Sequence, residues 1–224
     1  MSKINPALTS GSVTKRAKPR QFQEGVKRSL DTLAALLLLI FSAPLLLLCY
    51  ILIRLDSEGP AVYDGKRVGQ GGRPFRCFKF RTMHVDADKR LNTLLGANTH
   101  LRQEYAIYRK LENDPRVTRV GALLRRTSLD ELPQLFNVLR GDMSLVGPRP
   151  YLVSERTAMG KSRRVILQVK PGLTGYWQVS GRSNISFAER LDMEERYARG
   201  WSLGWDIKLL FKTVLVVVKA KGAS

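Results

Sequence analysis

The sequence LAALLLLIFSAPLLLLCYILI, residues 33–53, is an apolar run of 21 residues that only Ser42, Pro44, Cys49 and Tyr50 interrupt. About 20 apolar residues in a helix are enough to cross the hydrocarbon core of a bilayer. The run therefore predicts a membrane helix. It does not predict a cleavable signal peptide, because the segment before it is long and no small-residue cleavage site follows.

The course of this membrane helix depends on Pro44 and on the charges beside the run. Pro44 lies near the middle, where its missing N–H removes a backbone hydrogen bond and kinks a helix. Basic residues flank the run on both sides: Lys27, Arg28, Arg54, Lys66 and Arg67. Because positive flanks favour the cytoplasmic side, a re-entrant helix that bends at Ser42 and Pro44 would keep both ends inside. Spanning helices also tolerate proline, so these residues alone leave the two courses equally open.

The rest of the chain divides into a tail and one domain. Residues 1–26 mix polar, basic, Gly and Pro residues without apolar periodicity, which predicts a disordered basic tail on the cytosolic side. Residues 27–55 form the predicted membrane helix. Residues 56–224 are predicted to form a cytosolic, membrane-associated catalytic domain, for which the chain is long enough.

Most of the net charge of +19 lies in this domain. Residues 1–53 contain seven Lys or Arg and two acidic residues, a net charge of +5, which leaves +14 for the remainder. Such a basic domain favours polyanionic partners: nucleic acid, anionic lipid or phosphorylated substrates. With two cysteines and two histidines, the sequence favours a reducing compartment and argues against a disulfide framework or a zinc site.

Short β-like segments and several helices follow the membrane helix. A Gly-rich turn at residues 69–72 predicts a hairpin that includes the β-like residues 75–83. Helices are predicted at residues 86–112, 120–125 and 151–170. The predicted fold class is therefore α/β, mostly helical with a small β-hairpin or sheet.

Residues 206–220 predict a further, amphipathic helix near the C-terminus. Lys208, Lys212 and Lys219 share one side of it, while Leu, Phe and Val residues cover the rest. Such a helix suits the membrane interface or a homodimer contact. Together with the apolar run, it predicts a protein that is associated with the membrane.

The adjacent carboxylates Asp130 and Glu131 are the strongest candidates for chemistry. Ser128 and Glu131 match a capping box, but Pro133 would then lie past the first turn, so a helix start one to three residues later fits better. Either start places both carboxylates near the positive end of a helix dipole, which favours carboxylates and phosphates. Taken alone, the pair is explained equally well by simple helix capping.

The helix after this pair is predicted to end before Gly141. Its apolar residues define the expected buried stripe: Leu132, Leu135, Phe136 and Leu139. Gln134 and Asn137 would lie with Asp130 on another face of the helix.

The residue types favour phosphate chemistry on a carboxylate. Two histidines argue against histidine-based catalysis, and no G-x-S-x-G elbow supports a serine hydrolase. Residues 160–162 resemble the end of a P-loop, but Glu155 occupies the position of its first glycine. A carboxylate can instead attack phosphorus and form an aspartyl phosphate. Arginines, a helix N-terminus and a divalent cation would then neutralise the phosphate, and Mg²⁺ suits such oxygen ligands.

Five motifs follow one another in a specific order: KFRTM (79–83), DPRVT (114–118), SLDELPQ (128–134), GDMSLVGPRP (141–150) and PGLTGYWQVSGR (171–182). With them, the sequence from about Lys27 to the C-terminus resembles the bacterial sugar transferases known as monotopic phosphoglycosyl transferases. These enzymes move a sugar 1-phosphate from a UDP-sugar to polyprenyl phosphate. The short chain resembles the small members that initiate exopolysaccharide repeats, in particular rhizobial-type galactose-1-phosphate transferases.

The resemblance implies roles for the acidic residues and for the membrane helix. Asp130 would be the nucleophile that releases UMP, and Glu131 would position a metal or accept a proton from the lipid phosphate. Mg²⁺ would bridge Asp130 and the pyrophosphate, with Asp142 as a second candidate metal ligand. The resemblance also implies a monotopic membrane protein with a re-entrant N-terminal helix and amphipathic interfacial helices. The family's re-entrant helix bends at a Ser-Pro pair, and this sequence departs from that pattern because one alanine separates Ser42 from Pro44.

The same motifs supply the residues expected to bind the substrate. They are Lys79, Arg81, Arg116, Arg126, Pro148, Arg149, Pro150, Gln178 and Arg182. The implied partners are a UDP-sugar, undecaprenyl phosphate and membrane lipids, at the cytoplasmic face of the bacterial inner membrane. Galactose is the first expectation for the sugar and glucose the next, although no residue is assigned to the sugar 4-hydroxyl.

Two other classes of protein compete with this interpretation. A membrane-anchored basic adaptor that binds anionic lipid or nucleic acid would need only diffuse Lys and Arg residues. The ordered acidic and Pro-Arg-Pro motifs disfavour it, so nucleic acid is not expected as a partner. An aspartate-nucleophile phosphohydrolase is the second alternative, and the apolar run with the strong positive charge fits a lipid acceptor better.

Overall fold

A long N-terminal helix, a β-hairpin and a set of short helices make up the described part of the computed structural model, which is residues 18–108, 111, 114–180 and 185–218. The helices are α1 (Lys18–Asp56), α2 (Ala87–Ala97), α3 (Thr99–Tyr108), α4 (Arg119–Thr127), α5 (Gln134–Arg140), α6 (Arg163–Ile166), α7 (Tyr176–Ser180), α8 (Phe187–Gly200) and α9 (Leu203–Val218). The strands are β1 (Val62–Val68), β2 (Pro74–Phe80), β3 (Ser144–Val146) and β4 (Gly172–Thr174). The predicted α/β class, mostly helical with small sheets, is confirmed.

Helix α1 begins at Lys18 and therefore includes residues 18–26, in contrast to the tail predicted from composition. Pro19 lies in the first turn, where proline fits, and the Arg, Gln and Glu residues that follow are good helix formers. Residues 18–26 therefore extend α1 although they show no apolar periodicity. Residues 1–17 of the predicted tail lie outside the described residues.

One side of α1 packs on the domain along nearly its whole length. Its buried or partly buried positions recur every three or four residues: Asp31, Ala35, Leu39, Ser42, Leu46, Cys49 and Ile53. The opposite side exposes a broad apolar surface that includes Leu37, Ile40, Phe41, Leu48 and Ile51. The helix continues through Pro44. The Ser42 hydroxyl donates to the carbonyl of Leu38 at 2.6 Å. The segment Gln21–Asp56 is long and apolar enough to cross a membrane, by length and composition.

Both ends of α1 are held by the same domain. At the N-terminal end, Lys27 Nζ donates to Asp206 Oδ2 at 2.5 Å, and Arg28 donates to two carbonyls at the end of α5. At the C-terminal end, Asp56 Oδ2 accepts from the Val120 N–H of α4 at 3.2 Å. The apolar stretch between these attachments lies on the domain rather than leading away from it.

The predicted hairpin is confirmed as an antiparallel pair in which Val62 faces Phe80 and Val68 faces Pro74. Gly71 and Gly72 in its turn have φ values of +70° and +80°, which glycine adopts without strain. The strand β2 carries Lys79 towards the loop that follows α4.

Helix α5 packs Leu135 and Leu139 on the core as predicted, together with Leu132 just before it, but the rest of its buried face differs from the prediction. Phe136 is 51% exposed, whereas Gln134 and Asn137 are buried. The reason is the Asn137 amide, which accepts from the Phe78 N–H at 2.9 Å and donates to the Arg76 carbonyl at 2.6 Å along the edge of β2. The predicted end at Gly141 is confirmed, and this glycine has a φ of +86°.

Three glycines allow β3 and β4 to pair closely as parallel strands, with Ser144 beside Gly172 and Val146 beside Thr174. A Cβ on Gly172 would lie 2.0 Å from Gly147 N, and a Cβ on Gly175 would lie 2.1 Å from Gly147 O. These glycines therefore allow two backbone segments to approach each other. With the two strands paired in this way, Arg149 lies near Trp177 of α7.

Two predicted helices are broken in the structure. The segment 86–112 is divided between α2 and α3, because Asn98 is extended and its side-chain oxygen accepts from the Leu101 N–H of α3. The segment 151–170 holds only the 3₁₀ turn Val153–Arg156 and α6, with Gly160 at a φ of +55° between them. A positive φ ends a right-handed helix.

Candidate active site

Asp130 and Glu131 lie in a 3₁₀ turn, Leu129–Glu131, between α4 and α5. Ser128 before them has a φ of +59° and closes the C-terminal end of α4, and its side chain makes no capping hydrogen bond. The capping box expected from the sequence is therefore absent. Helix α5 begins three residues after Glu131, with Pro133 immediately before its first residue. The two carboxylates lie beside a helix start, as expected, without capping it.

Lys79 of β2 contacts this carboxylate pair directly. Its Nζ lies 2.6 Å from Glu131 Oε1, and both side chains remain partly exposed. The resemblance predicts Lys79 as a substrate-binding residue, and the structure places its ammonium group at Glu131. A substrate phosphate entering here would meet the same ammonium group.

Asp130 has an unusual protonation equilibrium. Burial is the main cause that raises its pKa to about 6, and the neighbouring Glu131 raises it further, while Lys79 and Arg125 act in the opposite direction. A desolvated carboxylate with this pKa is still largely ionised at neutral pH. Strongly perturbed carboxyl groups of this kind in a cleft are typical of catalytic positions.

Arg125 of α4 completes the surroundings of Asp130, and the sequence does not single it out. Its Nε donates to Thr82 Oγ1 at 2.9 Å, which fixes the guanidinium next to the turn. Burial lowers the pKa of Arg125, and the charge of Asp130 opposes that change. Helix α4 can approach this closely because Gly121 lies against the Thr82 backbone, where a Cβ would be 2.2 Å from the carbonyl oxygen.

A second cationic cluster lies in the same cleft, which has a volume of about 1850 Å³. Arg149 and Arg190 lie with their guanidinium carbons 5.6 and 4.4 Å from the ring centroid of Trp177. Arg67 of β1 is close enough that Arg149 lowers its pKa, after burial as the main cause. We call these residues (Arg67, Arg149, Arg190 and Trp177) the arginine cluster.

The arginine cluster has unused hydrogen-bonding capacity. Within the described residues, one buried nitrogen of each arginine has no hydrogen-bond partner: Arg67 Nη1, Arg149 Nε and Arg190 Nε. The Trp177 indole nitrogen and the Gln178 side-chain oxygen are also buried, and within the described residues they have no hydrogen-bond partner either. Buried polar groups are nearly always paired, so these groups indicate a site that a polar, anionic ligand completes.

The buried carboxylate of Glu194 fixes the backbone next to the arginine cluster. It accepts from the backbone N–H of Arg149 at 2.7 Å and from the Tyr151 hydroxyl at 2.5 Å. Complete burial raises the pKa of Glu194 to about 7. The carboxylate thus holds the Pro-Arg-Pro loop on α8, and the side chain of Arg149 extends into the cleft from that loop.

Some residues predicted to bind phosphate have structural partners instead. Arg81 donates to the carbonyls of Ser57 and Glu58, so its guanidinium closes the C-terminal end of α1. Arg116 forms two hydrogen bonds, of 2.7 and 2.6 Å, with Asp114. Both arginines line the edge of the cleft, but their terminal nitrogens are engaged. We therefore treat them as residues that build the site.

The remaining predicted residues fall in three places. Arg126, Pro150 and Gln178 line the cleft. The backbone carbonyl of Pro148 accepts from the Gly172 N–H at 2.8 Å and so holds the segment after β3 on the start of β4. Arg182 lies outside the described residues.

Asp142 does not join Asp130 in a metal site. It lies at the opposite end of α5, where its carboxylate is 3.4 Å from the Asn137 amide nitrogen. A seven-residue helix is about 10 Å long, which is too far for two ligands of one Mg²⁺. The position of Asp142 beyond the far end of α5 thus disfavours its pairing with Asp130, and the metal ligands stay a prediction. The adjacent pair Asp130 and Glu131 offers the one or two carboxylates that Mg²⁺ uses together with substrate phosphates.

Comparisons with known proteins agree with this geometry. The family described as "Bacterial sugar transferase" matches residues 22–220. The "Exopolysaccharide production protein ExoY" of Rhizobium meliloti is 44% identical over 197 residues, which cover 88% of this chain and 87% of that protein. The "Undecaprenyl-phosphate galactose phosphotransferase" of Salmonella typhimurium is 44% identical over 198 residues, covering 88% of this chain and 41% of that protein.

A further relative is the "UDP-glucose:undecaprenyl-phosphate glucose-1-phosphate transferase" of Caulobacter vibrioides. It is 43% identical over 204 residues, which cover 88% of this chain and 71% of that protein. This chain thus spans less than half the length of some relatives and most of the length of others. The family match extends over nearly the whole chain, including both carboxylates and the arginine cluster. The chain belongs to the bacterial sugar transferase family.

Proposed function

We propose that this protein transfers a hexose 1-phosphate from a UDP-sugar to undecaprenyl phosphate and releases UMP, as the first membrane step of exopolysaccharide synthesis. One observation carries the proposal: Asp130, a desolvated carboxylate with a pKa of about 6, shares a cleft with the arginine cluster. A nucleophile for phosphorus and a site for a nucleoside diphosphate are thus next to each other. The names of the related proteins support the same donor and acceptor classes.

The reaction would proceed in two displacements at one phosphorus atom. In the first, an Asp130 oxygen attacks the phosphorus that carries the sugar, the pyrophosphate bond breaks, and UMP leaves with the bonding electron pair. In the second, an oxygen of the lipid phosphate attacks the same phosphorus and Asp130 leaves as a carboxylate. Glu131 would accept a proton from the lipid phosphate, and Lys79, 2.6 Å from Glu131, would neutralise the charge that develops.

The arginine cluster would hold the nucleotide. Its buried, unpartnered nitrogens are suited to charge-assisted hydrogen bonds with diphosphate oxygens. Trp177 offers an aromatic ring, although Arg149 and Arg190 already occupy positions over it. Mg²⁺ held by Asp130 and Glu131 would supply further charge neutralisation on the pyrophosphate.

The sugar is tested by measuring UMP release from a panel of UDP-sugars. We expect UDP-galactose to be the best donor and UDP-glucose the next, in detergent-solubilised protein with undecaprenyl phosphate. Relatives named for galactose and for glucose have 44% and 43% identity, so identity alone does not separate the two sugars. Turnover that depends on undecaprenyl phosphate would support the proposal, and the absence of UMP release from every UDP-sugar would contradict it.

We further propose that α1 enters and leaves the bilayer on the cytoplasmic side, so that the protein is monotopic on the bacterial inner membrane. The support is that both ends of α1 are attached to the same domain, through Lys27 and Asp56. A spanning helix would separate these attachments by the thickness of the membrane. The exposed apolar side of α1 and the apolar side of α9 would contact the lipid.

Cysteine labelling in intact spheroplasts tests this topology. We expect cysteines in Gln23→Cys and Glu58→Cys, at exposed positions near the two ends of α1, to be protected from a membrane-impermeant maleimide. Both should react after permeabilisation, which serves as the control for accessibility. The native Cys49 and Cys77 are buried and provide a low background. Labelling of only one end from outside would show a spanning helix.

A further inference from the structure

The catalytic cleft has an apolar end that the arginine cluster and the carboxylates do not use. It is lined by Leu38 of α1 and by one face of α9, which consists of Ile207, Leu210, Phe211 and Val214. We call this part of the cleft the α9 groove. Its α9 residues are spaced as i, i+3, i+4 and i+7, and so form one stripe on the helix.

This stripe is separate from the face by which α9 is attached to the domain. Asp206, Leu209 and Thr213 make that attachment: the first two are buried, and the Thr213 hydroxyl lies 2.8 Å from that of Thr174. The four stripe residues are instead 37–71% exposed. Their apolar side chains therefore cover no core and line a surface that is open to a ligand.

The α9 groove is continuous with the site of phosphate transfer. The cleft includes Leu132, next to Glu131, and also Leu145 and Leu173 on its way to α9. The cleft thus combines an apolar region with a region that holds Lys79, Asp130 and the arginine cluster. A ligand that fills both regions has a phosphate head and a long hydrocarbon tail.

The positions of α1 and α9 connect this groove to the lipid phase. Leu38 belongs to the apolar side of α1, where Leu37 and Phe41 are exposed. On α9, the exposed Lys208 and Lys212 lie beside the stripe, as in helices that rest in a membrane interface. A hydrocarbon chain can therefore enter the groove from the bilayer without crossing water.

We propose that the α9 groove binds the isoprenoid chain of the lipid phosphate acceptor and directs its phosphate towards Asp130. The proposal rests on the proposed function and adds the place where the acceptor is recognised. Recognition of the chain in the groove explains how one cleft serves a water-soluble donor and a membrane-bound acceptor. The two substrates would occupy different regions of the same cleft.

The test measures the KM for undecaprenyl phosphate in Phe211→Ser and in the milder Val214→Thr, which keeps the side-chain volume. Loss of an aromatic contact with a hydrocarbon chain predicts a rise in KM of about tenfold for Phe211→Ser, and a smaller rise is expected for Val214→Thr. With farnesyl phosphate, whose chain is much shorter, the effect of both substitutions should shrink. The matched control is Leu215→Ser, because Leu215 is an exposed apolar residue of α9 that does not line the cleft.

The stoichiometric release of UMP without acceptor, measured in the same preparations, separates the two proposals. If the wild-type protein releases no UMP, the proposed function fails, whatever the groove does. If UMP is released and the KM for undecaprenyl phosphate is unchanged in both variants, the groove proposal is wrong. An equal rise in KM for Leu215→Ser would also overturn it, since the effect would then reflect general attachment to lipid.

Discussion

Asp130→Asn is expected to abolish the release of UMP from UDP-galactose even when no lipid acceptor is present, with a loss on the order of 10³-fold or more. The amide of asparagine cannot form the covalent bond to phosphorus on which the first displacement depends. Release is measured as UMP per mole of detergent-solubilised protein in a single turnover. Asp192→Asn is the matched control, because Asp192 is an exposed carboxylate of α8 that does not line the cleft.

The same substitution should stabilise the folded protein at neutral pH. The pKa of Asp130 is raised from 3.8 to about 6 on folding, so the ionised form is disfavoured in the folded state. The protonated form contributes stability that is complete below about pH 4 and is lost as the pH rises through about 6. Asparagine removes this penalty, which predicts a gain of about 2 kcal/mol at pH 7.5 that shrinks towards pH 4.

Thermal unfolding of the wild type and of Asp130→Asn at the two pH values measures this gain. If the variant is inactive but more stable, the ionised carboxylate of Asp130 is needed for the reaction and lowers the stability of the folded protein. Full UMP release by Asp130→Asn would rule out the nucleophile. A loss of stability at pH 7.5 would contradict the account of its environment.

Lys79→Met is expected to lower the rate of acceptor-independent UMP release at pH 7.5 by about 10²-fold, because it removes a cation from the site where phosphate charge develops. Lys79 also lowers the pKa of Asp130, so its removal should raise that pKa above about 6. The nucleophile acts as the ionised carboxylate, and its rate falls as the pH drops through the pKa. The acidic limb of the pH–rate profile should therefore move to higher pH in the variant.

Lys66→Met provides the control for this experiment. Lys66 lies on the adjacent strand β1, opposite Arg76, and its side chain is exposed outside the cleft. We expect its pH–rate profile to match that of the wild type. A reduced rate in Lys79→Met with an unshifted acidic limb would show that Lys79 contacts the substrate without tuning Asp130.

The sequence identifies the central chemistry because its signals are local. Asp130 and Glu131 are adjacent, and the glycines and prolines around them restrict the backbone over a few residues. The hairpin turn and the end of α5 at Gly141 are predictable for the same reason, since positive φ angles favour glycine. These features depend on short-range conformational preferences and not on the tertiary fold.

The features that the sequence misses depend on residues far apart in the chain. The sequence predicts that Asn137 lies on a face of α5 outside the buried stripe. It is buried because the edge of β2, some 60 residues earlier, presents an N–H and a carbonyl to its amide. Arg67 and Arg190 come from β1 and α8 and meet only when the cleft forms. No periodicity or spacing in the sequence indicates that these two residues line the same cleft.

Arg81 and Asp142 show a limit of the motifs. Both stand in motifs that the resemblance connects with the substrate, and both have structural partners. Arg81 binds the carbonyls of Ser57 and Glu58, which follow α1 directly and, as backbone acceptors, need hydrogen-bond partners. Motif membership thus places a residue near the site without fixing what its side chain contacts.

The covalent intermediate is the central claim, and mass spectrometry of the loaded protein tests it most directly. The wild-type protein is incubated with UDP-galactose and Mg²⁺ without acceptor, quenched in acid and analysed as intact protein and as peptides. The account predicts a mass increase of one hexose phosphate, located on Asp130, in proportion to the UMP released. Transfer of the sugar phosphate to undecaprenyl phosphate with no modification of Asp130 at any time would contradict it.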